Sequence, residues 1–378
     1  MINKKIGIIG GGQLALMLIQ AASKLGVPCI CLDPNPQACA FKYCQEKIIK
    51  NFDDQEALKE LEAKVDVILF EFENINLTKV QELTKIFSSI KMLEISQNRI
   101  KEKQFAQSNG FNTPKYLKVV DEKTLQAAIA KIGLGGILKT CELGYDGKGQ
   151  IPIKTLNDVQ QVQKILNVDY IYEEKINFDY EVSVIVVRSK DDFQVFPLFK
   201  NKHLNGILHR TDLNNNGIDS KLTKKVVDLA KNLMLNNNFL GILCIEMFIK
   251  DEQIYFNELA PRPHNSGHIT LDSTNISQFD LYVRAALGLN LIKPRIIQPM
   301  SMINILGQNY QKTLELLRQN KLVNSADELF IYLYGKDKIQ INRKMGHINI
   351  IDEELITKID KEFKYDKQKN ICQEKKEL

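Results

Sequence analysis

Two glutamates stand where they could hold a metal ion, in the stretch Cys244-Ile-Glu-Met-Phe-Ile-Lys-Asp-Glu-Gln-Ile-Tyr-Phe-Asn-Glu-Leu-Ala-Pro-Arg262. Its alternating pattern predicts a β-hairpin. If Asp251-Glu252-Gln253 is the turn, residue 249 faces 255, 248 faces 256, and Glu246 lies opposite Glu258. Side chains directly across an antiparallel pair are about 5 Å apart, where like charges repel. A cation between them removes that cost, and hard carboxylate oxygens suit Mg²⁺ that also bridges substrate phosphates. A solvated surface pair is the ordinary alternative. The apolar neighbours Ile245, Met247, Phe248, Ile249, Phe256 and Leu259 argue against full exposure of both faces.

Two glycine-rich segments could approach anions. Gly10-Gly-Gly12-Gln-Leu-Ala15 fits the G-x-G-x-x-A form of a dinucleotide fingerprint, with Asp33 about twenty residues on. It reads as a phosphate-approach loop, because any tight strand-to-helix turn near an anion needs such glycines. A nicotinamide-dependent oxidoreductase is the rival reading, although nothing downstream supplies hydride chemistry. The second segment, Gly144-Tyr-Asp-Gly-Lys-Gly149, follows an apolar strand that ends near Lys139. Its glycines let the backbone fold over a polyphosphate, and Lys148 can neutralise charge. A plain surface hairpin would show the same glycines. The carboxylate hairpin about a hundred residues on favours ATP.

The elements that must position these groups follow from periodicity. Residues 5–9, 27–32 and 65–72 read as buried strands alternating with helices at 13–21 and 53–64, the pattern of a parallel doubly wound unit. A helix over 99–108 ends at Asn109-Gly110. A helix at 121–131, strands at 136–140, 170–176, 181–188 and 193–199, and a helix near 222–236 lead to the hairpin. A helix at 277–287 follows, and after Pro294 come strands at 301–306, 329–334 and 347–351 with a helix near 310–319. The expected division is an α/β unit over 1–110, a central unit over 111–293, and a small C-terminal unit over 294–378 that ends in a Lys-rich tail.

Composition narrows the class. A chain of 378 residues can bury more than one core, and 44% hydrophobic with 26% charged residues is ordinary for a globular protein. A net charge of +5 is too mild to predict nucleic-acid binding, and no run of apolar residues is long enough for a membrane helix. Met1 leads straight towards a strand, so no signal peptide is expected. The seven cysteines form no Cys-x-x-Cys pair, which points to a reduced, cytoplasmic setting.

Five motifs stand out together: Gly10-Gly-Gly-Gln-Leu14, Gly144-Tyr-Asp-Gly-Lys-Gly-Gln150, Glu258-Leu-Ala-Pro-Arg-Pro-His-Asn-Ser-Gly-His268, Ser277-Gln-Phe279 and Arg343-Lys-Met-Gly-His347. With them the chain resembles the N5-carboxyaminoimidazole ribonucleotide synthetase family of ATP-grasp ligases. The resemblance runs from Ile6 to about Ile351. Pro263 through His268 is its most specific part, because general ATP-grasp enzymes share the hairpin but not that loop. Three places depart from the pattern: Thr140-Cys-Glu-Leu143, Glu174 where Gln is frequent, and Lys336-Asp-Lys-Ile-Gln-Ile-Asn-Arg343, which lacks Arg-Pro-Gly and is one residue longer.

The resemblance implies an N-terminal α/β domain, a central ATP-grasp domain with a lid, a small C-terminal domain, and a homodimer. It implies ATP contacts from Arg99, Lys139, the lid residues Gly144, Tyr145, Asp146, Gly147, Lys148, Gly149 and Gln150, and also Asn257 and Glu258. Glu173, Glu174, Lys175 and Ile176 match the adenine pocket, Glu181 a ribose-binding acid, and His203 another nucleotide-site position. Glu246 and Glu258 match the ligands of Mg²⁺. Tyr145, Asp146, Arg262, His264, Asn265, Ser266, Lys336 and Arg343 fall where 5-aminoimidazole ribonucleotide and bicarbonate are held. Arg262, His264 and Asn265 carry the catalytic expectation. The implied reaction is ATP-dependent carboxylation through carboxyphosphate. A sister ATP-grasp ligase acting on another ribonucleotide is the nearer alternative. Of the histidines, His209 reads as structural, His268 as a brace of its loop, and His347 as part of a polar motif loop.

Overall fold

The computed structural model describes residues 3–142, 144, 149–164, 166–213, 217–318 and 329–363. Near the N-terminus the buried runs Ile6–Ile9, Cys29–Leu32 and Val67–Phe70 form a parallel sheet, with Glu46–Ile48 as its short edge. Burial on both faces explains their unbroken apolar character. The helix Gln13–Ser23 packs on one face and Gln55–Lys64 on the other. The second of these starts where the Asp54 side chain accepts from the amides of Glu56 and Ala57.

A second sheet, nine-stranded and antiparallel, forms the spine of the molecule. Its order is Gln253–Ala260, Gly241–Lys250, Tyr180–Arg188, Phe199–Leu204, Ile207–Leu213, Met300–Leu306, Lys344–Ile350 and Leu329–Leu333, with Phe193–Val195 beside Tyr180–Arg188. Ile207–Leu213, which periodicity did not predict, bonds Phe199–Leu204 on one side and Met300–Leu306 on the other. The sheet therefore continues across the expected division at 293/294 without a break. Helix Ser220–Asn236 covers one face of its central strands and Gln278–Ala286 the other.

A third, four-stranded sheet runs Tyr116–Val119, Tyr170–Glu173, Ile137–Thr140 and Gln150–Pro152. Helix Glu122–Ile132 packs on it, started by a capping box between Asp121 and Thr124. This sheet and the spine face each other across a cleft. Among the described residues no helix is long and apolar enough to cross a membrane.

Candidate active site

The hairpin pairs Glu246 with Glu258 as expected, by a different route. The turn has two residues, Asp251 and Glu252, both in the left-handed region at φ 49° and 59°. Lys250 pairs with Gln253 and Met247 with Phe256, one position off the expected register. A bulge then takes up one extra residue, Asn257, and restores the Glu246–Glu258 pairing. Glu246 is buried, and burial raises its carboxyl to about 7; nearby His203 opposes this, while Glu258 and Glu181 add to it. Its oxygens lie 3.3 Å from His264 Nε2 and 3.5 Å from Asn257 Nδ2. The more exposed Glu258 faces Arg99 at 3.6 Å. Among the described residues no group of three or more Asp, Glu, His or Cys side chains converges on one point. Two directly opposed carboxylates still form a donor set for a hard cation whose other ligands are phosphate oxygens and water.

Arg99 opens the helix Arg99–Ser108, which Asn98 caps through the amides of Ile100 and Lys101. The Asn98 side chain also donates to Glu142, and the Arg99 amide donates to Cys141 O, so this corner grips the chain beyond Ile137–Thr140. Two residues of the same helix carried no sequence signal. Glu102 is buried and accepts from the Leu259 amide at 2.5 Å; burial and Glu258 raise its carboxyl to about 8. Lys103, 1% exposed, lies 3.1 Å from Glu173, and Lys139 reaches the other Glu173 oxygen at 3.1 Å. Glu173 lines the cavity, but its carboxylate points inward between two ammonium groups. Burial pushes that carboxyl up; the two lysines outweigh it and hold it near 2. The expected adenine-pocket acid is thus also the anchor of Lys139.

Glu181 and His203 meet across neighbouring strands in a close ion pair. Burial alone would lower His203, but the Glu181 hydrogen bond and the charges of Glu246, Glu181 and Glu258 raise it to about 9. His203 is therefore a cation at neutral pH. Glu174, Lys175, Ile176 and Phe178 continue the wall, with Phe178 stacked on Phe248 at 4.7 Å.

At the other end, Glu73, in the loop after Val67–Phe70, holds Arg262 through two hydrogen bonds, one of 3.0 Å. His264 caps the short turn Asn265–Ile269, with its Nδ1 against Ser266 Oγ at 2.8 Å and its Nε2 towards Glu246. Ser266 corrects a substrate-contact expectation. It is fully buried behind His264, off the cavity lining, in a chain that runs through Ser183 and Asn201 to Thr211. Asn265 does line the cavity, and neither its Oδ1 nor its Nδ2 has a hydrogen-bond partner among the described residues. A buried amide left in this state is poised for a ligand.

Lys336, Gln340, Ile341, Asn342, Arg343 and Lys344 close this end. Burial lowers Lys336 to about 8, with Cys39 and Glu71 pulling it up and Arg343 and Lys344 pushing it down. Its Nζ lies 5.6 Å from the Tyr334 ring centroid. Arg343 donates to Asp337 at 3.1 Å and to Lys338 O at 2.7 Å, so its guanidinium braces its own loop.

The first glycine segment does not receive a phosphate. Its helix N-terminus is closed by Glu71, which accepts from Gly12 N at 2.6 Å and Ala15 N at 2.9 Å, while Asp33 accepts from Gly11 N at 2.8 Å. A Cβ at Gly10 would stand 2.1 Å from Glu71. The glycines admit the protein's own carboxylate, and Asp33 is engaged by the turn, so the fingerprint offers no dinucleotide site. Gln13, Leu14 and Glu71 nevertheless line the cavity. His268 and His347 are fully buried with ring centroids 4.9 Å apart; His347 lies on a strand and not in a loop. His209 is buried against Asp360, in keeping with a structural role.

One cavity of about 940 Å³ thus gathers Arg99, Lys139, Gly144, Gln150, Glu173–Ile176, Glu181, His203, Glu246, Asn257, Glu258, Arg262, His264, Asn265, Lys336 and Arg343. Gly149, at φ 73° against Thr140, is off the lining. Tyr145, Asp146, Gly147 and Lys148 lie outside the described residues, as does the tail from 364.

A sheet bearing opposed carboxylates, a buried lysine on a facing sheet, and a cleft between them define an ATP-grasp ligase. The ATP-grasp domain family model matches residues 104–279. The ribonucleotide synthetase preATP-grasp domain matches 3–97, and the phosphoribosylaminoimidazole carboxylase C-terminal domain matches 301–360. The chain belongs to the N5-carboxyaminoimidazole ribonucleotide synthase family. It is 37% identical to the member from Staphylococcus haemolyticus over 92% of each chain. It is also 37% identical to the one from Bacillus subtilis, over 92% of this chain and 91% of that one. Among solved structures it resembles the Staphylococcus aureus enzyme complexed with ADP, at TM-score 0.88 and 32% identity over 95% and 96% of the two chains. It also resembles the Aspergillus clavatus enzyme in complex with ADP and 5-aminoimidazole ribonucleotide, at TM-score 0.85 and 26% identity over 96% and 100%.

Proposed function

We propose that this chain carboxylates the exocyclic amine of 5-aminoimidazole ribonucleotide, using ATP and bicarbonate, in purine biosynthesis. The observation that carries the reading is a single cavity with two chemically distinct ends. Glu246, Glu258, Lys139 and Arg99 suit a polyphosphate at one end; Arg262, Asn265, Lys336 and Arg343 suit anions at the other, and His264, 3.3 Å from Glu246, stands where the two meet. Glu246 and Glu258 would hold Mg²⁺, which neutralises phosphoryl oxygens when bound. Lys139, fixed by Glu173, and Arg99 add positive charge from the protein.

In the first step a bicarbonate oxygen attacks the γ-phosphorus, and the bond from that phosphorus to the ADP oxygen breaks, giving carboxyphosphate and ADP. Positioning and charge neutralisation account for most phosphoryl-transfer catalysis. The substrate amine then attacks the carboxyl carbon, phosphate leaves with its oxygen, and the nitrogen loses a proton. Asn265, with both amide atoms open, and Arg262 hold the anionic intermediate; His264 orients bicarbonate or substrate. On the family resemblance, the segment Gly144 to Gln150, including Tyr145 and Asp146, is assigned the task of keeping water from the labile intermediate. The proposal includes a cytoplasmic homodimer, on the family resemblance.

The test is phosphate release with ATP, Mg²⁺ and bicarbonate, with and without the ribonucleotide. Release should depend on bicarbonate and rise strongly with the ribonucleotide. Indifference to bicarbonate would move the reading to a sister ligase acting on another ribonucleotide.

A further inference from the structure

The loop that carries Lys336 and Arg343 has little apolar anchoring of its own, since Ile339 and Ile341 are 47% and 66% exposed. Its shape is imposed from outside, by the start of the helix Gly307–Arg318. Gln308 grips Asn342 at two points: its Oε1 accepts from the Asn342 amide at 2.8 Å, and its Nε2 donates to Asn342 Oδ1 at 3.0 Å. Asn342 is held in the left-handed region at φ 63°. The Gly307 amide donates to Arg343 O at 2.9 Å. Gly307 has no room for a side chain, since a Cβ there would lie 1.9 Å from Gln340 O. At the loop's other end Lys42 donates to Gly335 O at 2.9 Å. Gln308 itself is not part of the cavity lining, whereas Gln340, Ile341, Asn342, Arg343 and Lys344 are.

We propose that Gln308, with Gly307 behind it, is a positioning residue that sets the cationic 336–344 loop for the ribonucleotide phosphate. This inference rests on the reading of that loop as the phosphate grip. A planar amide that both accepts from and donates to one residue fixes its orientation as well as its distance, which a single bond cannot do. The residue it fixes precedes Arg343, so a rotation at Asn342 displaces the Arg343 guanidinium, while Lys344 stays paired with Leu306 in the sheet. The residues assigned to the nucleotide, Lys139, Glu173 and Glu181, lie on other strands that this rotation does not move.

Gln308→Ala should raise the ribonucleotide KM roughly five- to thirty-fold, the cost of two neutral hydrogen bonds, and change the ATP KM less than about two-fold. Asn342→Gly keeps the left-handed backbone and its N–H but loses the side-chain bond, so it should have a smaller effect. Added to Gln308→Ala it should cost almost nothing further, because the partner is already gone. Hydrogen exchange at the Asn342 amide, read without substrate, should speed up in Gln308→Ala. Unchanged exchange would overturn the clamp. Faster exchange with equal shifts in both KM values, or with neither shifted, would overturn the positioning role. Arg343→Ala separates the two levels: if it too leaves the ribonucleotide KM unmoved, the reading of the loop as the phosphate grip has failed.

Discussion

Replacing Glu173 by Gln keeps the shape of the side chain and removes the one negative charge between Lys103 and Lys139. Each ammonium lies 3.1 Å from a carboxylate oxygen. At an effective dielectric constant near 20, one such contact is worth about 5 kcal/mol before desolvation is subtracted. The net value is smaller. Holding the carboxyl near 2 rather than 4.5 corresponds to about 3 kcal/mol at pH 7, and Glu173 is too buried for solvent to screen it. Breaking a buried ion pair from one side typically costs about 3–5 kcal/mol. Both routes give an expected loss of about 3–4 kcal/mol. The assay is denaturant unfolding of both proteins across a pH series. A carboxyl whose folded value is depressed contributes stability above its unfolded value and loses it as pH falls towards the folded one. The gap between the proteins should therefore stay level from pH 8 to 5 and close below about 4.5. A gap under about 1 kcal/mol at pH 7, or one that persists unchanged to pH 3, would refute the charge argument and leave only a packing effect.

Glu258→Gln should nearly abolish turnover while unfolding without Mg²⁺ shifts little or upward, because one of two opposed charges is removed; wild-type activity would exclude it as a metal ligand. The ribonucleotide KM should rise as pH climbs through about 8, where Lys336 loses its proton, and Lys336→Arg, charged throughout, should flatten that profile. Thermal stability should hold a contribution from the His203–Glu181 pair below pH 6.5 and lose it as pH rises through about 9, since the folded value lies above the unfolded one; His203→Gln should lack that decline. Asn-Gly in place of Asp251-Glu252 should add about 1 kcal/mol to stability without altering kcat, because both positions demand a left-handed backbone.

The parts of the fold legible in the sequence are those where one periodicity dominates. The buried strands of the parallel sheet, the helix from Arg99 and the carboxylate hairpin all declare themselves by pattern and caps. Ile207–Leu213 did not, because Asn205-Gly206 and the polar residues His209, Arg210 and Asp212 break the apolar signal; its strength comes from two flanking strands far away in the sequence. The hairpin shows how an error can cancel. A two-residue turn and a bulge at Asn257 compensate, and neither is written in an alternation of two. In the site, the family motifs identified the cavity wall, yet Lys103, Glu102, Glu71 and Glu73 were invisible. Charged residues on helices and strand ends look solvated until tertiary packing buries them. Gly10 to Gly12 misled for a related reason: the sequence shows that an anion is admitted, and only the fold shows that the anion is Glu71.

The unbroken spine also sets a timetable for synthesis. Ile207–Leu213 leaves the ribosome with one edge paired to Phe199–Leu204 and the other bare until Met300–Leu306 arrives, about ninety residues later. At roughly 5–20 residues per second this edge is exposed for about 4–18 s. An unpaired strand edge is a template for pairing with other chains. Once Gln253–Ala260 has been made, the nucleotide-binding half is present while the sheet is not yet closed, and premature termination within 261–299 should yield insoluble fragments in place of a working nucleotide-binding half.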